Sequence, residues 1–172
     1  MVKMTSAYAN KALKRLYDDK AFLISGENDG ITYVATTTEE PVIPDYDYVK
    51  TAEKIAAIDE KIIKIKHAIN LANVTNTVQI GDETLTIDMV LVKMAQLNSR
   101  LGTLDRMRKL QPKSRVDAYY SSNTVSPEYK YINFDKELVM KDYDEMNSYI
   151  AQMQLALDKY NQTVEFDVDI VW

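Results

Sequence analysis

The stretch Ile55-Ala56-Ala57-Ile58-Asp59-Glu60-Lys61-Ile62-Ile63-Lys64-Ile65-Lys66-His67-Ala68-Ile69 decides the fold class. Ile55, Ile58, Ile62, Ile65 and Ile69 recur at spacings of three, four, three and four, which places them on one narrow stripe of a helix. A seam of this width suits lengthwise, coiled-coil-like packing on another helix. The pattern predicts a helix over about 47–73. Two more segments keep the same alternation. Residues 86–110 carry Ile87, Val90, Met94, Leu97, Leu101 and Leu104, and Pro112 follows where a helix must end. Residues 135–160 carry Val139, Tyr143, Met146, Ile150, Met153, Leu157 and Tyr160 in register. Each is a rod of about 35–40 Å. The segment 86–110 is the expected partner of the isoleucine seam.

Outward from these three, a weaker helix is predicted over 5–22. Met4, Tyr8, Ala12 and Leu16 form its stripe, widened by Leu13 and Tyr17. The connections read as strands. Ile31-Thr32-Tyr33-Val34-Ala35-Thr36-Thr37 is β-branched and follows a turn-rich stretch, so a hairpin with Phe22-Leu23-Ile24 is expected. Val78-Gln79-Ile80 and Tyr129-Lys130-Tyr131-Ile132 are further candidates. The tail alternates, with Val164, Phe166, Val168 and Ile170 on one face. A lone strand is unstable in water, so one small sheet is expected to collect these pieces, within the chain or between subunits. Asn73-Val74-Thr75 and Asn161-Gln162-Thr163 read as equivalent helix stops, Asn taking the left-handed C-cap and Thr opening a short strand. The expected architecture is mainly α: an antiparallel bundle of about four long helices with short β-strands in the connections and the C-terminal tail. One domain over 1–172 is expected, with a β-like insertion at 25–40 and a β-like tail at 164–172.

The composition agrees with long uninterrupted elements. The chain has 172 residues, 46% hydrophobic and 27% charged, with four Gly and four Pro. There is no Cys, which removes disulfides, thiolate metal sites and cysteine nucleophiles. A single His removes most histidine-based catalysis. Neither an apolar export signal nor a run of about 20 apolar residues occurs, so a cytoplasmic location without membrane insertion is expected.

Net charge is −5, unevenly spread. Residues 86–115 hold seven bases against two acids, 135–172 three bases against nine acids, and 25–49 six acids with no base. Complementary packing of one segment on another, within or between subunits, accounts for this.

Motifs that carry chemistry are absent. Gly26 and Gly30 have no Lys-Ser/Thr after them, so there is no P-loop. Neither G-x-S-x-G nor H-E-x-x-H occurs, and Lys64 stands three residues before His67 where a di-iron bundle needs Glu. His67 reads as a surface residue near a helix C-terminus. Two acidic pairs, Asp45 with Asp47 and Asp167 with Asp169, are the weak candidates for a divalent metal. The basic run 100–115 falls largely in the last turns of a helix, where cations offset the dipole, and nucleic acid is not the expected partner. Tyr119, Tyr120, Tyr129 and Tyr131, outside the seams, together with Phe166 and Val168 of the tail, are the candidate interaction residues. No catalytic residue and no cofactor is expected.

Several runs resemble a small bacterial family. They are Ile65-Lys66-His67-Ala68-Ile69-Asn70-Leu71-Ala72-Asn73-Val74-Thr75, then Gly81-Asp82-Glu83-Thr84-Leu85-Thr86, then a helix with Leu97, Leu101 and Asp105. Ser114-Arg115-Val116-Asp117-Ala118-Tyr119 and Leu157-Asp158-Lys159-Tyr160-Asn161-Gln162-Thr163 complete the likeness. The family consists of uncharacterised helical-hairpin proteins, some labelled septicolysin. The likeness spans about 4–163 apart from 25–40; the family's usual Trp after the last Asn is Gln162 here. It implies a helical-hairpin fold and carries over no catalytic residue, while the septicolysin label implies a pore-forming toxin.

The residues themselves favour a non-enzymatic helical scaffold or protein-interaction module that forms a homo-oligomer. A carboxylate-based divalent-metal protein or enzyme is the alternative.

Overall fold

The structure, a computed structural model, describes residues 1–116 and 127–171. It is mainly α, with four helices and short antiparallel strands. In chain order these are β1 (Val2–Thr5), α1 (Ser6–Gly30), α2 (Tyr48–Thr75), β2 (Thr77–Ile80), β3 (Glu83–Thr86), α3 (Ile87–Arg108), β4 (Lys113–Arg115), β5 (Tyr129–Tyr131), α4 (Lys136–Thr163) and β6 (Glu165–Val168). The chain, read from sequence as one domain, divides by its contacts into two compact units, Met1–Val78 with Leu157–Trp172, and Gln79–Ala156.

In the first unit α1 and α2 run antiparallel, with Lys20 Nζ donating to both carboxylate oxygens of Asp59 at 2.6 and 2.8 Å. Lys66 lies over the Tyr17 ring at 5.5 Å. The core joins Ala9, Ala12, Leu13 and Leu16 of α1 to Ile62, Ile65 and Ala68 of α2. Alanines at this seam let the two helices approach closely. Met4, Val168 and Ile170 close the core. They arrive there because β1 and β6 pair antiparallel, Val2 opposite Val168 and Thr5 opposite Glu165. The isoleucine seam thus packs on α1 and on β6, where the segment 86–110 was the expected partner.

The tail's alternation appears in space: Val168 and Ile170 are buried, Val164 and Phe166 half-buried, and Glu165, Asp167 and Asp169 exposed. Its partner is the N-terminal strand, which sequence reading had merged into the first helix through Met4. Thr5 ends that strand and caps α1, its Oγ1 accepting from Tyr8 N at 3.2 Å.

The second unit is built on α3 and α4, also antiparallel: Lys93 meets Tyr149, and Lys136 Nζ reaches Leu110 O at 2.8 Å. Both seams are where the periodicity put them. Ile87, Val90 and Leu104 of α3 are buried, as are Val139 and Met153 of α4, with Met94, Leu97, Leu101, Tyr143, Met146 and Ile150 half-buried between. β2 and β3 close around Gly81-Asp82, and Gly81 takes φ +58° at the turn position that a II′ hairpin reserves for glycine.

Three expectations are corrected. The hairpin over residues 22–37, and with it the β-like insertion at 25–40, does not form: α1 continues through Phe22 to Gly30, and 31–47 holds no strand. The helix is held past Gly26 by tertiary contact, since Leu23 and Glu27 are half-buried and Glu27 accepts a bond from Tyr46. Among the described residues the single sheet is replaced by three two-stranded sheets, β1–β6, β2–β3 and β4–β5. Finally, both long helices pass their Asn by two residues and stop at Thr75 and Thr163. No non-Gly residue among those described has positive φ. The stop is made by threonine instead: Thr75 Oγ1 donates to Leu71 O at 2.8 Å and Thr163 Oγ1 to Lys159 O at 2.7 Å. Such bonds four residues back loosen a helix at its end. Each helix then enters a strand, as expected.

Candidate interaction surfaces

The connection from α1 to α2 holds the longest exposed run among the described residues. Residues 31–43 are all exposed, Val34 at 97% and Val42 at 90%. The segment is anchored at its far end. Pro44 O accepts from Tyr46 N, and the Tyr46 hydroxyl donates to Glu27 Oε1 at 2.5 Å. The Tyr46 side chain crosses the end of α1 at Gly30, where a Cβ would lie 2.7 Å from Tyr46 Cβ. The bond to the Glu27 carboxylate, aided by burial and by that negative charge, pushes the Tyr46 phenol up to about 12. Asp47 then caps α2, accepting from Lys50 N at 3.1 Å, and that bond holds its carboxyl below the ordinary range.

A second surface is a groove of about 570 Å³ between α1 and α2. Its floor is Ala12, Leu16 and Ile58, and Lys11, Arg15, Asp19 and Lys61 stand around it with Tyr8.

The third surface lies in the other unit. Register pairs Lys113 with Tyr131 and Arg115 with Tyr129, so these four side chains share one face of the β4–β5 ribbon, and all are exposed. Lys113 Nζ sits 4.0 Å from the Tyr129 ring centre and 5.5 Å from that of Tyr131. Neither Lys113, Arg115 nor Lys130 forms an ion pair among the described residues. Other cations of this unit are matched: Lys93 bonds Glu83 and the Tyr149 hydroxyl, which itself donates to Glu83 at 2.9 Å. Arg108 pairs with Asp105 and stacks over Tyr143 at 3.9 Å. These bonds lower the Glu83 and Asp105 carboxyls, through Lys93 and Lys109 first.

The candidate residues fall in separate places. Asp47 is engaged as a helix cap, and Asp45 is exposed beside it. Asp167 and Asp169 line a groove of about 450 Å³ with Lys64, His67 and Phe166. Along α2, 20 residues separate Asp47 from His67, about 30 Å of helix. Among the described residues no three His, Cys, Asp or Glu side chains gather into a metal cluster. Tyr129 and Tyr131 are exposed on the ribbon; Tyr119 and Tyr120 lie outside the described residues. Val168 is 0% exposed and Phe166 packs against the core, so as interaction residues these two are corrected: their apolar surface is used inside the chain. The exposed segment 31–43 was missed as a surface because its β-branched run read as a half-buried hairpin.

No family model matches the chain, and no curated protein matches it. A solved structure does: a functionally unknown conserved protein from Corynebacterium diphtheriae, with a TM-score of 0.63 at 16% identity, covering 96% of this chain and 100% of that one. At that identity the likeness is one of fold. No described helix is long and apolar enough to cross a membrane.

Proposed function

We propose that this chain is a non-enzymatic protein-interaction module that self-associates. The observation that carries the reading is the uncovered connection from α1 to α2, where Ile31, Val34, Val42 and Ile43 stand exposed, flanked by exposed Phe22 on α1 and Tyr48 at the start of α2. Single exposed apolar residues are ordinary, but a run of them along one anchored segment marks a surface that another chain covers. The acid-rich composition of 25–49 and the unpaired cations of the β4–β5 ribbon give copies of one chain opposite charge to offer each other.

Light scattering on the purified chain tests this. The expected result is a molar mass that rises with concentration above the 19.7 kDa of one chain. A strict monomer at high micromolar concentration overturns it. Divalent ions separate this reading from metal binding: Mg²⁺, Ca²⁺ and Mn²⁺ are expected to leave the melting midpoint unchanged, and a rise that saturates with metal favours the carboxylate alternative.

A further inference from the structure

Two parts of this chain lack what the other has. The run Ile31-Thr32-Tyr33-Val34-Ala35-Thr36-Thr37 is β-branched throughout much of its length, yet it pairs with no strand. Its natural neighbour in sequence, Phe22 to Ile24, is committed to α1. Glu39 and Glu40 follow it, exposed and with no ion pair among the described residues. The ribbon of β4 and β5 is the reverse. Among the described residues each of its strands pairs only with the other, so each has an outer edge without a described strand partner. Its face carries Lys113 and Arg115 without a carboxylate among the described residues, and Lys130 stands on its other side.

A free strand-forming segment and an open strand edge are complementary by backbone hydrogen bonding, and here they are complementary in charge as well. We propose that residues 31–40 of one copy add as a third strand to the β4–β5 ribbon of a second copy, with Glu39 and Glu40, which project to opposite faces of a strand, set against Lys113 and Arg115 on one face and Lys130 on the other. This rests on the self-association reading and names its surfaces. The contact is heterologous, segment to ribbon, so after the first contact one copy retains a free ribbon and the other a free segment, and association continues beyond a dimer unless a ring closes. Strand addition supplies main-chain bonds over only three ribbon residues, so the contact is weak and depends on its charges.

Charge reversal on the full chain tests the pairing, read by sedimentation velocity with circular dichroism as the fold control. Glu39→Lys with Glu40→Lys, and separately Lys113→Glu with Arg115→Glu, are each expected to weaken self-association about tenfold or more. Combining both pairs of changes with Lys130→Glu in one chain is expected to restore it, because the reversed segment then meets a ribbon reversed on both faces. Thr36→Pro leaves every charge and the ribbon untouched but breaks strand pairing beside Glu39 and Glu40, and is expected to abolish association. Association at wild-type strength in the two charge variants and in Thr36→Pro overturns the surfaces named here while self-association stands. A wild-type monomer at high micromolar concentration overturns self-association itself. Should the ribbon instead bind a single-stranded oligouridine probe, lost on Lys113→Glu with Arg115→Glu while the molar mass stays unchanged, its partner is nucleic acid and the proposal fails.

Discussion

Tyr46 shows how much one side chain decides in this molecule. It is the point where a 17-residue connection is tied back to α1, through its hydroxyl to Glu27 and its Cβ against Gly30. A methyl at Gly30 would sit 2.7 Å from Tyr46 Cβ, closer than real Cβ contacts allow. Gly30→Ala is therefore expected to displace Tyr46 and release Glu27. The phenol's raised value gives a direct readout. Folded, Tyr46 keeps its proton up to about 12, against an ordinary value of 10.0. The anchored form is thus fully favoured below pH 10, and this contribution is lost as pH rises from 10 towards 12. In a spectrophotometric titration between pH 10 and 11, Gly30→Ala is expected to ionise one more tyrosine than wild type. Tyr46→Phe identifies which phenol is late, and an unchanged titration in Gly30→Ala would refute the anchor. None of this was visible in sequence, where the stretch before Ile31 read as turn-rich and nothing marked Tyr46 as an anchor. Asp47 is a similar case: its carboxylate is spent on the α2 cap, a role that a pattern of paired acids hides.

At the scale of elements, the periodic segments were legible and the short ones were not. The seams of α3 and α4 emerged residue for residue, because burial on one face of a long helix leaves a repeating mark in the chain. A four-residue strand such as β1 leaves almost none, and its Met4 fitted a helical stripe equally well. Yet that strand is what seats the tail. Val168 and Ile170 are buried among Met4, Leu13 and Ile65, on the face opposite Asp167 and Asp169. Val168→Asp would bury an unpaired carboxylate there and is expected to cost about 3 kcal/mol or more. Asp169→Ala, on the solvent face, is expected to stay within about 0.5 kcal/mol of wild type. Urea unfolding followed by circular dichroism measures both; equal effects would mean the tail is not seated as described. Thr5→Ala removes the α1 cap and is expected to cost about 1 kcal/mol in the same measurement. The run 31–37 failed as a strand for the converse reason. Local β-propensity had no second strand to pair with once Leu23 and Glu27 drew residues 22–30 into the helix.

The whole molecule carries a net charge of −5, so two copies repel on average, while the 25–49 segment and the β4–β5 ribbon attract. Which effect governs association depends on range. Attraction between facing side chains acts over a few ångströms, whereas the net repulsion is felt over roughly a Debye length, about 10 Å at 0.1 M salt and 3 Å at 1 M. The exposed valines and isoleucines of 31–43 add an apolar contribution that salt does not screen. Salt thus distinguishes two ways of self-associating. If charge complementarity holds the copies together, raising NaCl from 0.05 to about 1 M shrinks the molar mass seen by light scattering towards that of one chain. If burial of Val34, Val42 and Ile43 is the main term, the same change relieves the net repulsion and the mass rises. The exposed state of Glu39, Glu40, Lys113 and Arg115 favours the first outcome, because these four, unlike Lys93 and Arg108, form no ion pair among the described residues. A mass that grows with salt would assign the contact to the apolar face of the connection and remove the ribbon's charges from it.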